Sequence, residues 1–129
     1  MTETLTYRDL NYRFLAHPVS GRLAVVKDAE AVKQGVKLGV MTNRLERPFR
    51  PNLGSDVRRQ VFENIDSMTE EDVRHSIESY FRDHSRRSEL IAVNTYADND
   101  AATLGVTITH RPVNSVEPTV TTIEIEALR

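Results

Sequence analysis

Cysteine is absent from this 129-residue chain, which excludes disulfides, thiolate zinc sites and cysteine nucleophiles and fits a reducing compartment. Long apolar runs are missing too: no segment approaches the roughly 18 residues a membrane span requires. The stretch Met1 to Asn11 carries Glu3, Arg8 and Asp9 with no apolar run, so no signal peptide is expected. Neither charge sign dominates. A net charge of −2 exerts no global pull towards nucleic acid or anionic lipid. The four histidines, His17, His75, His84 and His110, make no HxxxH or HxH pair, so no metal site is expected. GxSxG, P-loop and dinucleotide-glycine signatures are lacking, as are internal repeats and low-complexity tracts. What is present, 39% hydrophobic and 28% charged residues, is globular composition. At this length folding buries roughly two-thirds of the unfolded surface. One soluble, intracellularly made domain is expected.

Residues 1–22 read as an N-terminal arm, with Leu10, Tyr12 and Phe14 alternating as in an extended strand before His17-Pro18 and Ser20-Gly21 punctuate the chain. Residues 23–129 read as the domain. Asp28 is placed to cap a helix running to about Thr42, with Ala29, Val32, Val36 and Gly39–Val40 on one face. Gly35 and Gly39 lie on one side of it, each costing about 1 kcal/mol against alanine. Either close packing within the domain or close approach of a partner backbone would compensate. Residues 43–56 form a loop, because Pro48, Pro51 and Gly54 do not fit one regular element. Ser55 or Asp56 then caps a short helix over residues 57–64, with Val57, Val61 and Phe62 inward.

The next helix, residues 69–85, has Thr69 as N-cap with Asp72 completing a capping box and Met68 and Val73 as a staple. Glu70, Glu71 and Asp72 complement the positive end of its dipole, and Arg82, Arg86 and Arg87 the negative end. Its buried stripe is Val73, Ile77, Tyr80, Phe81 and His84. The period then changes from 3.6 to 2. Strands are predicted over 89–97, 103–111 and 119–128, with a turn at Asp98-Asn99-Asp100. Leu104, Val106, Ile108 and His110 share one face of the second strand; Thr103, Thr107 and Thr109 share the other. The fold class is therefore α+β: an N-terminal arm, then about three helices followed by a three-stranded antiparallel meander.

Among the carboxylates, Glu63, Glu70 and Glu71 are the best candidates for an acid and nucleophile pair. The first-turn position already accounts for Glu70 and Glu71. Five arginines, Arg44, Arg47, Arg50, Arg58 and Arg59, accumulate across the loop and short helix. With only Phe49 interleaved, the pattern suits a protein partner better than nucleic acid; a solvated basic face is the plainer alternative.

The run Leu38 to Asp56, with Val61-Phe62-Glu63-Asn64 after it, resembles the signature of a phage baseplate wedge family. That family includes the sheath-initiating wedge protein of contractile-tailed phages and the type VI secretion baseplate counterpart. In it an apolar helix end leads into a Gly-Glu-Arg-Pro-Phe-type loop, a Pro-x-aromatic-Gly turn and a short helix ending near Phe-Glu. A Thr-capped helix and three strands follow, so the resemblance covers residues 28–128. Leu45 stands where the family has glycine, and Leu53 where an aromatic is common.

The resemblance implies a structural baseplate subunit of the virion tail, not an enzyme, made in the host cytoplasm. It implies six copies per baseplate and no cofactor. Glu46, Arg47, Pro48, Arg50 and Pro51 would bind the helical core bundle of other wedge proteins. Thr119, Thr121, Thr122, Ile123 and Ile125 would template the first ring of tail sheath protein by strand addition. The alternative that the family also implies is an acidic lysozyme-like peptidoglycan hydrolase.

Overall fold

Eight elements succeed one another in the computed structural model, which describes residues 6–63, 67–98 and 100–126. They are β1 (Arg8–Leu10), β2 (Val25–Lys27), α1 (Asp28–Met41), α2 (Val57–Glu63), α3 (Ser67–His84), β3 (Ser88–Asp98), β4 (Thr103–Pro112) and β5 (Thr119–Glu126). β1 and β2 form a two-stranded antiparallel sheet, and β3, β4 and β5 an antiparallel meander in that order. The class is α+β, as the change of period implies.

Alternation along β4 and β5 decides where the core lies. Leu104, Val106, Ile108 and His110 are buried together with Ile123 and Ile125, while Thr122, Glu124 and Glu126 are exposed. The inward set packs against Val32, Val36 and Val40 of α1, Val57 and Val61 of α2, and Val73, Ile77, Tyr80 and Phe81 of α3. Each large aliphatic buried in this way contributes roughly 1.5–3 kcal/mol of transfer free energy.

Gly39 is accounted for by this packing: a Cβ there would lie 1.9 Å from the Tyr80 hydroxyl oxygen, so α1 approaches α3 only with glycine at the crossing. In the α3 stripe His84 is only half-buried. The Asp98 carboxylate accepts from the Asp100 and Ala101 amides, 3.1 Å each, which makes the β3–β4 turn; Asn99 lies outside the described residues.

Several boundaries differ from the sequence expectation. Asp28 is not the cap of α1 but its first residue, and Lys27 at the N-cap makes no side-chain hydrogen bond to the helix. The Asp28 carboxylate is engaged elsewhere, accepting from the Tyr7 amide at 3.2 Å and the Asn114 side-chain amide at 3.1 Å. Thr69 is not an N-cap either. It lies inside α3, which begins at Ser67 and ends at His84, so the capping box with Asp72 does not form the helix start, and Arg86 and Arg87 fall beyond its end. The Phe62 and Met68 side chains lie outside the described residues, as do residues 127 and 128 of the predicted third strand.

The expected arm is a hairpin. β1 and β2 pair, Ala16 bridges Leu23, and Gly21 takes a left-handed φ of 66° in the turn. The hairpin is fastened to the rest of the chain: the Gln34 side chain accepts from the Tyr12 amide and donates to the Leu10 carbonyl, and Arg87 pairs with Asp9 at 2.7 Å.

Candidate functional site

Between α1 and α2 the chain leaves the fold and returns to it. The Ser55 amide donates to the Thr42 carbonyl at 2.9 Å, and the Ser55 hydroxyl donates to the Val40 carbonyl, which closes the base. Gly54 is required there: its φ is 119°, and a Cβ would lie 2.3 Å from the Thr42 oxygen. Arg44 reaches Asp56 across the base at 3.7 Å. Within the loop the Leu45 amide donates to the Pro51 carbonyl at 2.8 Å. Glu46 turns inward to accept the Asn43 amide at 2.8 Å.

This arrangement pushes residues 45–52 into solvent. Glu46, Arg47, Pro48, Arg50 and Pro51 are all exposed, and the structure brings these five predicted docking residues onto one short loop. Two further residues belong with them. Phe49 is fully exposed and Leu45 is 75% exposed. Both hold left-handed backbone, at φ 66° and 69°, a conformation that costs a non-glycine residue about 1–2 kcal/mol. Both are thus apolar side chains held in solvent on strained backbone. The signal for Leu45 was available, since it stands where the resembled family has glycine. Phe49 was visible as the lone interleaved aromatic.

The predicted template strand, β5, is an edge of its sheet among the described residues. Thr121, Ile123 and Ile125 point into the core, whereas Thr122 is exposed and Thr119 half-buried. Any partner therefore meets the first three through their main chain. Beside β5 a groove of about 470 Å³ runs between Val120–Thr122, the polar side of α1 and the hairpin. Lys33, Lys37 and Arg13 outnumber Glu30 on its walls, and the hydrogen bond from Arg13, chiefly, lowers the Tyr12 phenol below its ordinary range. The opposite edge strand, β3, is bulged between Leu90 and Ala92, a device that blunts edges. β5 pairs in unbroken register.

Two of the three candidate carboxylates have described side chains. Glu71 lies exposed, accepts from Arg74 at 3.3 Å and stands 3.9 Å from the His75 ring, Glu70 sits half-buried in the first turn of α3, and the Glu63 side chain lies outside the described residues. Among the described residues no cluster of three metal-ligating side chains occurs and no helix is long and apolar enough to cross a membrane. His110 lies fully buried with Nε2 2.8 Å from the Thr121 hydroxyl.

The fold that carries this loop and this edge strand is shared with solved baseplate chains. A putative tail lysozyme from Geobacter sulfurreducens superposes with TM-score 0.71 at 20% identity, over 82% of this chain and 97% of that one. A chain of the anti-feeding prophage baseplate gives 0.63 at 19% identity, over 96% and 88%. One of the postcontracted Pyocin R2 baseplate gives 0.53 at 19%, over 86% and 95%. In sequence, the baseplate wedge protein gp25 of Enterobacteria phage T4 is 40% identical over 72 residues, 55% of this chain and 54% of that protein. The match thus spans about half the length of that relative. No family model matches. The resemblance to the baseplate wedge family is borne out by sequence and by fold together.

Proposed function

We propose that this chain is a structural subunit of a contractile-tail baseplate wedge. Its loop over residues 46–51 docks on the wedge core built by other wedge proteins, and β5 offers its free edge to the first ring of tail sheath. The observation that carries the docking half is the exposed, doubly strained loop with Leu45 and Phe49 at its surface. A preformed loop stiffened by two prolines loses little conformational entropy on binding. Its arginines suit acidic partner residues, and Phe49 supplies an aromatic anchor. The templating half is supported by the unbroken β5 edge and the open groove beside it, since an unpaired edge accepts a further strand through main-chain hydrogen bonds.

The test is assembly of the wedge from co-expressed proteins of the same tail. Arg47→Ala and Phe49→Ala fold normally and fail to enter the wedge. Glu46→Ala also loses the Asn43 amide contact, so it disturbs the loop itself. Unimpaired assembly by the Arg47 and Phe49 variants counts decisively against docking through this loop.

A second reading, peptidoglycan hydrolysis, has one observation in its favour: the fold is shared with a putative tail lysozyme. Glu63→Gln and Glu70→Gln separate the two readings in a cell-wall lysis assay. Lysis that disappears with either change would establish the enzyme; the structural reading expects no saturable turnover at acidic or neutral pH.

A further inference from the structure

Gly35 is not explained by the fold. A Cβ at Gly39 would strike the Tyr80 ring, but one at Gly35 meets nothing within 4 Å. Glycine in a helix interior is unfavourable against alanine, and no turn, left-handed backbone or internal contact requires it at this position. The space above it is a groove of about 370 Å³ between α1 and the C-terminal end of α3. Val32, Val36 and the Tyr80 ring supply apolar wall, and Arg50, Arg86 and Arg87 stand on its rim. Three arginines line the groove and no carboxylate does. Arg87 is already paired with Asp9 at 2.7 Å and lies over the Tyr7 ring. Arg50 and Arg86 are exposed, and neither makes an ion pair among the described residues. The helix dipole accounts for a cation at Arg86, just past the end of α3, but not for Arg50, which arrives from the 43–56 loop.

We propose that this groove seats an acidic helix of a partner protein. An apolar side chain of that helix fills the space over Gly35, and flanking carboxylates pair with Arg50 and Arg86. A groove between two helices is the setting in which an amphipathic helix lays its apolar face, and the missing Cβ lets the two backbones approach. Charge complementarity selects an acidic occupant, and arginine holds carboxylates bidentately. The inference rests on the docking reading above, because Arg50 belongs to that loop. It extends the contact beyond that loop onto α1 and the end of α3 and states the chemistry of what binds there.

The probe is the wedge complex reconstituted from the other baseplate proteins of the same tail, titrated with the purified chain. Gly35→Leu fills the groove from a half-buried position. It is expected to melt at or above the wild-type temperature, since it removes a helix-interior glycine, and to bind at least about thirtyfold more weakly, as for an interface hot spot. Arg86→Glu is expected to weaken binding about tenfold or more, and Arg86→Lys to recover most of that loss. If Gly35→Leu proves unfolded, the two Arg86 variants decide the matter alone. Wild-type binding by folded Gly35→Leu or by Arg86→Glu overturns the groove proposal. If Arg47→Ala still abolishes binding in the same titration, the loop reading survives that failure; if it too binds normally, both fail. Self-association of the chain that Gly35→Leu abolishes would make the occupant a second copy, which also overturns the proposal.

Discussion

At the scale of one residue, His110 gives a testable pH dependence. Burial lowers its pKa below the ordinary 6.5, and the charge of Lys33 lowers it further. Around it lie the Phe81 ring at 6.0 Å and the Thr121 hydroxyl, while Nδ1 has no partner among the described residues. Between the folded-state pKa and 6.5 the unfolded chain binds more protons than the folded one, so stability rises with pH across that window. It is fully present above 6.5 and is lost as the pH falls below. Melting temperatures measured from pH 7.5 to 5 should therefore drop on acidification, and His110→Gln should flatten the part of the drop below 6.5. An unchanged profile in the variant would show that other groups set it. Leu45 gives an independent residue-scale prediction. Glycine relieves its left-handed backbone, worth about 1–2 kcal/mol, against roughly 0.5–1 kcal/mol of added unfolded-state freedom. Leu45→Gly should stabilise the isolated chain by about 0.5–1 kcal/mol, read as a higher denaturant midpoint with an unchanged slope.

At the scale of elements, the buried faces were legible and the helix starts were not. The period-2 face of β4 and the 3.6-period faces of α1 and α3 name the core because burial on one side imposes that spacing on any sequence. The Thr69 capping box is a local signal that fails, because α3 already begins at Ser67; the other errors fall where distant residues decide. Asp28 has the composition of a cap, but its carboxylate is taken by Tyr7, 21 residues away, and Asn114, 86 residues away. No window around Asp28 contains either partner. The hairpin is hidden for a similar reason: β1 and β2 are three residues each, too short for a period, and they are held by Gln34 and Arg87. The residues proposed for docking were legible as a proline- and arginine-rich loop. The groove over Gly35 was not, because it exists only where α1, the end of α3 and Arg50 meet. Asp28→Ala should therefore act on the hairpin and not on the helix. Losing its two exposed hydrogen bonds should cost about 1–2 kcal/mol, and alanine at the left-handed φ of 46° adds strain to that. Hydrogen exchange should quicken at the Tyr7 amide while β4 amides stay protected. Faster exchange along α1 instead would restore the capping role.

Taken whole, the molecule separates its proposed contacts by the width of one helix. Lys33, Gln34 and Lys37 of α1 line the groove beside β5, whereas Val32, Gly35 and Val36 of the same helix line the groove reached by Arg50. Loss of one contact should leave the other intact, provided the core between them holds. The β5 edge allows that separation to be tested through strand physics. Main-chain groups supply much of the affinity in strand addition, so side-chain truncation is tolerated and proline, which deletes an N–H donor, is not. N–H directions alternate along a strand, so Thr121→Pro and Thr122→Pro should differ sharply. One removes a bond to β4 and lowers the melting temperature; the other spares the fold and stops sheath polymerising on the baseplate. Thr121→Pro also deletes the hydroxyl that faces His110 at 2.8 Å, so Thr121→Val provides the baseline for that loss. The measurements are melting curves for the three variants and electron microscopy of tails assembled with each. Wedge assembly should be normal in whichever proline variant folds, because the loop lies elsewhere. Two proline variants that both fold and both carry full-length sheath would exclude β5 as the template while leaving the loop's role untouched.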